Sequence, residues 1–180
     1  MSRCMTRLIA LALVAAGTTS CGTSARSRLY TLDATAIANG ASPMQTAVMV
    51  GPVSLPATVD RPEFVVQVAP NRVEVEEFDR WAAPLDDSIA RAVAGDLSVL
   101  LATPNVTTAP LGGFNPAYSV TINVQRFESV KGEAAVLDAV WAVRSTVGGK
   151  LRSGRTIAQE AVQGEGFDAL ARRTAGRAPN

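Results

Sequence analysis

Histidine is absent from the 180-residue chain. That removes the usual general base, the Ser-His-Asp triad and the commonest metal ligand. Cysteine is scarce: the two are Cys4 and Cys21, both near the N-terminus. Neither can staple a folded domain, so no disulfide framework holds it together. An excess of one charge is lacking too, because 17 basic residues stand against 16 acidic ones. A net charge of +1 gives no basic footprint for nucleic acid. The apolar run at residues 8–17 is ten residues long, half of the roughly 20 that a bilayer span requires.

What is present begins with an export signature. Arg3 and Arg7 precede that apolar run, which gives the charged and hydrophobic regions of a secretory signal peptide over residues 1–20. Removing these two arginines leaves 15 basic against 16 acidic residues, a net charge of −1. Small residues then lead to Cys21 in Gly17-Thr18-Thr19-Ser20-Cys21-Gly22. This resembles a bacterial lipobox, in which the cysteine thiol takes a diacylglycerol and becomes the new N-terminus; Thr18 stands where a leucine is usual. Three acyl chains on Cys21 would make anchoring stable, since a single chain holds a protein only marginally. Gly22 leaves sorting to the outer membrane open. Residues 21–28 read as a short polar tether.

The domain is expected over residues 29–174, with a disordered tail at 175–180. Residues 29–32 make a short strand, and the small polar residues 33–43 a loop. Residues 45–55, rich in Val and Met, read as a buried strand whose end is bent by Pro52 and Pro56. Residues 63–69 and 72–77 flank Pro70-Asn71 and predict a hairpin. Pro84 suits a helix start, and Asp86 and Asp87 complement the dipole of its first turn. Leu85, Ile89, Val93, Leu97 and Leu101 recur every four residues, an amphipathic helix for packing on a sheet. Residues 103–116, with three prolines and Gly112-Gly113, read as a loop. Tyr118, Val120, Ile122 and Val124 alternate with polar neighbours, and a phase slip at Arg126-Phe127 predicts a bulge. A turn at 130–133, a strand at 134–147, a tight Gly148-Gly149 turn and a strand at 150–162 complete a three-stranded meander. Phe167, Leu170 and Ala171 begin a second helix over residues 167–173. The fold class is therefore α/β (α+β): a single domain with a mostly antiparallel sheet flanked by helices on one face.

No catalytic constellation emerges. Asp86 and Asp87 are adjacent helix positions and point about 100° apart, so they do not form an acid–base pair. Gly112-Gly113 has neither the lysine nor the flanking elements of a phosphate-binding loop. No catalytic residue, metal ligand or cofactor is assigned, and an enzyme is not expected.

Several residues carry a resemblance in their order and spacing. Tyr30-Thr31-Leu32 follows the lipobox; Val53-Ser54-Leu55-Pro56, Asp60-Arg61-Pro62 and Asn71 come next; Arg80-Trp81 precedes Pro84-Leu85; Phe127, Gly132 and Trp141 follow. Over about residues 30–162 this resembles the PqiC-like auxiliary lipoproteins of MCE-type lipid transport systems. The resemblance implies an α/β domain facing the periplasm. It also implies an MCE-domain protein and an inner-membrane permease as partners, and a docking or assembly role that supports membrane integrity. Family members carry a full terminal helix, and the stretch after Gly166 is shorter. A sheet face is then expected to be partly uncovered unless a homo-oligomer covers it.

Two readings compete. In the first the chain is a lipid-anchored adaptor, attached through Cys21 and docking partners through Arg80 and Trp81, residue types enriched at interface hot spots; core packing is the competing role for Trp81. In the second it is a stand-alone envelope lipoprotein that binds lipid itself, which requires an apolar pocket. Neither involves nucleic acid.

Overall fold

A computed structural model describes residues 25–130 and 133–161. Its elements run in the order β1 (Arg28–Tyr30), β2 (Val48–Ser54), β3 (Glu63–Ala69), β4 (Arg72–Trp81), α1 (Leu85–Leu100), β5 (Val106–Thr107), β6 (Tyr118–Val130), β7 (Ala134–Ser145) and β8 (Leu151–Ala161). All eight strands belong to one sheet. Among the described residues no helix is long and apolar enough to cross a membrane.

The sheet is mixed, which corrects the expectation of a mostly antiparallel one. The hairpin β3–β4 and the meander β6–β7–β8 are antiparallel as expected. Four other pairings are parallel: β1 with β4, β2 with β5, β2 with β6, and β3 with β6. Alternation of side chains is the same in both ladder types, so the pattern that locates a strand does not orient its partner. Among the described residues α1 is the single helix, rather than one of several on one face. The helix expected at 167–173 lies outside the described residues, as does Gly132.

Strand β6 organises the sheet. One of its edges pairs with β7 along nearly its whole length. Its other edge is divided: β2 takes residues Tyr118 to Asn123, and β3 takes Ser129 and Val130. The register shift against β7 falls between Val124 and Arg126, where the apolar phase slips in the sequence. It turns Phe127 back into the core that Val124 enters. The register of β2 against β6 shifts between Val50 and Val53. Pro52 lies in that interval and has no N–H to give to the ladder. Asn71, at φ 64°, makes the turn between β3 and β4. Gly148 and Gly149, at φ 82° and 63°, reverse the chain between β7 and β8, where left-handed backbone favours glycine. Strand β5 lies inside the stretch expected to be loop; its two residues pair with Val48 and Met49, too short a ladder to leave a periodic trace.

Pro84 caps α1 from outside, with ψ 134°, one residue earlier than its expected place inside the first turn. Asp86 and Asp87 lie in that turn, at the positive end of the helix dipole. The buried residues of α1 are Leu85, the first of the four-residue stripe seen in the sequence, and Ser88, Ala90 and Ala94 beside that stripe. Ala90 and Ala94 pack with Val48 and Val50 of β2, where small side chains let helix and strand approach closely. Ile89, Val93 and Leu97 are left half-buried.

Candidate functional site

Arg80 and Trp81 are neighbours at the end of β4, and the strand sends them to opposite faces. The Trp81 indole enters the core and is 7% exposed. It stacks on Phe64 at 4.2 Å between ring centroids and meets Phe127 edge-on at 5.9 Å. Tyr30 packs edge-on against Phe64 at 5.0 Å. The row Tyr30–Phe64–Trp81–Phe127 thus links β1, β3, β4 and β6. Arg80 points outward. Its guanidinium reaches Glu63 at 3.0 Å and donates through Nε to the Glu77 carbonyl at 3.0 Å. Glu63 also meets Arg61 at 3.4 Å, so two cations flank one carboxylate on this surface. Arg80 is the member of the pair that a partner can touch; Trp81 fixes the strand end beneath it. Cys21 lies outside the described residues.

Asp79 went unnoticed in the sequence. It shares the inward face of β4 with Trp81, and its carboxylate is buried, with 3% of its side chain exposed. One oxygen accepts from Arg28 Nη2 at 2.7 Å, the other from the Tyr30 hydroxyl at 2.9 Å. Both donors belong to β1, so this carboxylate fastens the first strand to the sheet. The available signal was parity: a charge two residues before a core tryptophan must face the same way.

Asp138, on β7, is the second buried carboxylate. Arg155 of β8 grips it with two bonds, at 2.8 and 2.5 Å, a bidentate pair across neighbouring strands. The hydrogen bond from Arg155 holds the Asp138 carboxyl below the ordinary carboxylate range, burial opposes this, and the charges of Arg155 and Arg126 add to it. The same bond and charge push the Arg155 guanidinium up. Glu128 does so for Arg126, which it meets at 2.6 Å.

On the opposite face of these strands runs an apolar groove of about 300 Å³ between α1 and the meander. Ile89, Val93 and Leu97 form its helical wall. Its floor is Val120, Ile122 and Val124 of β6 with Leu137, Ala139, Trp141 and Val143 of β7. Thr156 of β8 closes the far side. The polar atoms on its rim satisfy each other, since Trp141 Nε1–H donates to Thr156 Oγ1 at 3.1 Å. Trp141 lies across Gly154, its register partner on β8, where a Cβ would overlap the indole ring. No ionisable side chain lines the groove. Among the described residues no group of three or more acidic, cysteine or histidine side chains converges as a metal site.

Comparison with known proteins places this geometry. A family model described as an ABC-type transport auxiliary lipoprotein component matches residues 30–175. A crystal structure of a DUF330-family protein from Xanthomonas campestris superposes with a TM-score of 0.68 at 19% identity, covering 82% of this chain and 86% of that one. Another crystal structure, of an uncharacterized protein, gives a TM-score of 0.69 at 20% identity over 84% of this chain and 90% of that one. At these identities the likeness is one of fold. No curated protein sequence matches the chain.

Proposed function

Since the chain belongs to the family of ABC-type transport auxiliary lipoprotein components, we propose that it is the periplasm-facing docking subunit of an MCE-type envelope lipid transporter. It is anchored through lipid on Cys21, in the outer membrane, and helps to keep that membrane intact. The family match carries this reading. The chain acts by binding an MCE-domain protein and its permease, not by catalysis. The fastening of β1 supports the adaptor role: Arg28 follows Cys21 by seven residues, which reach at most about 25 Å when extended. The domain therefore stands close to the anchoring bilayer. The Arg80 surface, with Glu63 and Arg61 beside it, offers a partner charged groups of both signs.

The test is a pull-down of tagged protein from solubilised envelope, with Cys21→Ala, Arg80→Ala and Trp81→Ala beside the wild type. An MCE-domain protein is expected with the wild type, and less of it with Arg80→Ala at unchanged thermal stability. Trp81→Ala is expected to lose about 3–5 kcal/mol of stability, as large-to-small core changes do. Failure to recover any MCE-domain protein after crosslinking would reject the adaptor reading. The apolar groove is the observation that favours the second reading, lipid binding by the domain itself; that reading predicts lipid in the purified protein by mass spectrometry.

A further inference from the structure

Strand β4 is covered along one edge and open along most of the other. On the inner edge β3 pairs with it from Arg72 to Glu76 and again at Arg80. On the outer edge β1 takes only Asp79, Arg80 and Trp81. Among the described residues no strand pairs with the outer edge of Arg72–Glu76, and Arg72 to Val75 are exposed. A bare strand edge is a row of unpaired N–H and C=O groups, a template for one more strand. The side chains along this edge sort by face, because antiparallel partners share one. Val73 and Val75 stand with Gln67 and Val65; Glu74 and Glu76 stand with Val66 and Phe64. The two valines are 54% and 40% exposed. The edge thus carries an aliphatic stripe on one face and an acidic stripe on the other. Arg72 meets Glu74 only at 3.8 Å, with both side chains exposed, so solvent and salt leave that carboxylate largely unneutralised.

We propose that this edge docks an extended segment of a partner protein in which aliphatic and basic residues alternate. Such a segment adds a strand beside β4: its backbone meets the free N–H and C=O groups, its aliphatic residues cover Val73 and Val75, and its cations face Glu74 and Glu76. Charge complementarity chooses this occupant. A second copy fits less well: antiparallel pairing about Val75 sets Glu74 against Glu76 twice, and pairing about Glu74 gains Arg72 against Glu76 but sets Glu74 against itself. Like charges directly opposite destabilise a pair of strands, and unlike charges stabilise it. Strand β8 also pairs on one side alone among the described residues, yet it has no stripe of one charge. Arg152 and Glu160 share a face with opposite signs, and Arg155 is held by Asp138. The inference goes beyond the adaptor reading, since it states which chemistry docks and where, whatever protein supplies the segment.

The test is an NMR titration of the purified full chain, with Cys4 and Cys21 replaced by serine, against two end-blocked synthetic peptides. One alternates valine and lysine, the other valine and glutamate. The lysine peptide is expected to shift the backbone amide signals of residues 72–76 and to leave those of residues 151–161 in place; the glutamate peptide is expected to shift neither. Glu74→Lys with Glu76→Lys should weaken the lysine peptide about tenfold, as unlike cross-strand pairs become like ones, and should let the glutamate peptide bind at the same residues. That gain also shows that the variant is folded. Absence of shifts at 72–76, or equal binding of both peptides by the parent chain, would overturn the proposal. Shifts at 151–161 instead would overturn it in favour of β8. Signals of 72–76 that broaden with protein concentration alone, without peptide, would overturn it in favour of a second copy.

Discussion

Asp138 and Asp79 are both buried carboxylates answered by an arginine from a neighbouring strand, and they differ in what surrounds the pair. Asp138 meets Arg155 with both oxygens engaged, and that hydrogen bond holds its pKa down. A carboxylate with a depressed folded pKa contributes stability at pH values above its unfolded pKa, near 3.9. The contribution is lost as the pH falls through the lower folded value. This pair therefore supports the meander at neutral pH and lets go only in strong acid. Arg155→Gln removes the largest cause of the shift and leaves burial opposed only by the charge of Arg126, so the Asp138 pKa should rise. A carbon-detected NMR titration of its carboxyl measures this; an identical midpoint in wild type and variant would contradict the assignment. Trp81 teaches the complementary lesson. Its position beside Arg80 in the sequence suggests a joint site, yet a strand turns adjacent residues to opposite faces, and the two side chains share no surface.

Elements were legible wherever a period survived over several residues. Strands β3 and β6, the Asn71 turn and the start of β7 stand where alternation and turn residues put them, and the bulge near Arg126 coincides with the phase slip. Helix α1 was legible as a helix, and its stripe does pack on the sheet, with Leu85 buried; the close contacts of Ala90 and Ala94 were hidden because small residues leave no periodic mark. Direction of pairing was equally hidden, because β2 and β6 alternate alike whether parallel or antiparallel. The groove was invisible for a related reason, since Gly154 reads as a weak strand residue until Trp141 is seen lying on it. Gly154→Val should force the indole off the strand and destabilise the domain by about 1–3 kcal/mol, the usual range for overpacking. Thermal unfolding with Trp fluorescence would check it; an unchanged midpoint and spectrum would show that the ring contact is dispensable.

Across the whole molecule the first strand stands at one edge of the sheet and the groove lies over β6, β7 and β8. The path from β1 through β4, β3, β6 and β7 to β8 crosses five strand spacings, about 24 Å. Strand β1 is thus far from β8 in the ladder order, yet Tyr30 of β1 and Leu137 of the groove pack against one core cluster. This separation was beyond sequence reasoning, because it depends on the parallel pairings that place β1 outside β4.

The fastening of β1 also has a mechanical side. A pull applied to the chain ahead of Arg28 passes to β4 across three paired positions: Arg28–Asp79, Leu29–Arg80 and Tyr30–Trp81. Load directed along the strands shears these pairs together, and the Asp79 carboxylate, holding Arg28 and Tyr30 at once, stiffens the link at both ends of β1. Asp79→Asn should lower the force of the first rupture when the domain is stretched from residue 25 in an optical trap; an unchanged rupture force would place the weak point elsewhere. With the link intact, load applied at β1 reaches the aromatic row that Tyr30 joins, and under the proposed anchoring at Cys21 the sheet edge would work as a shackle.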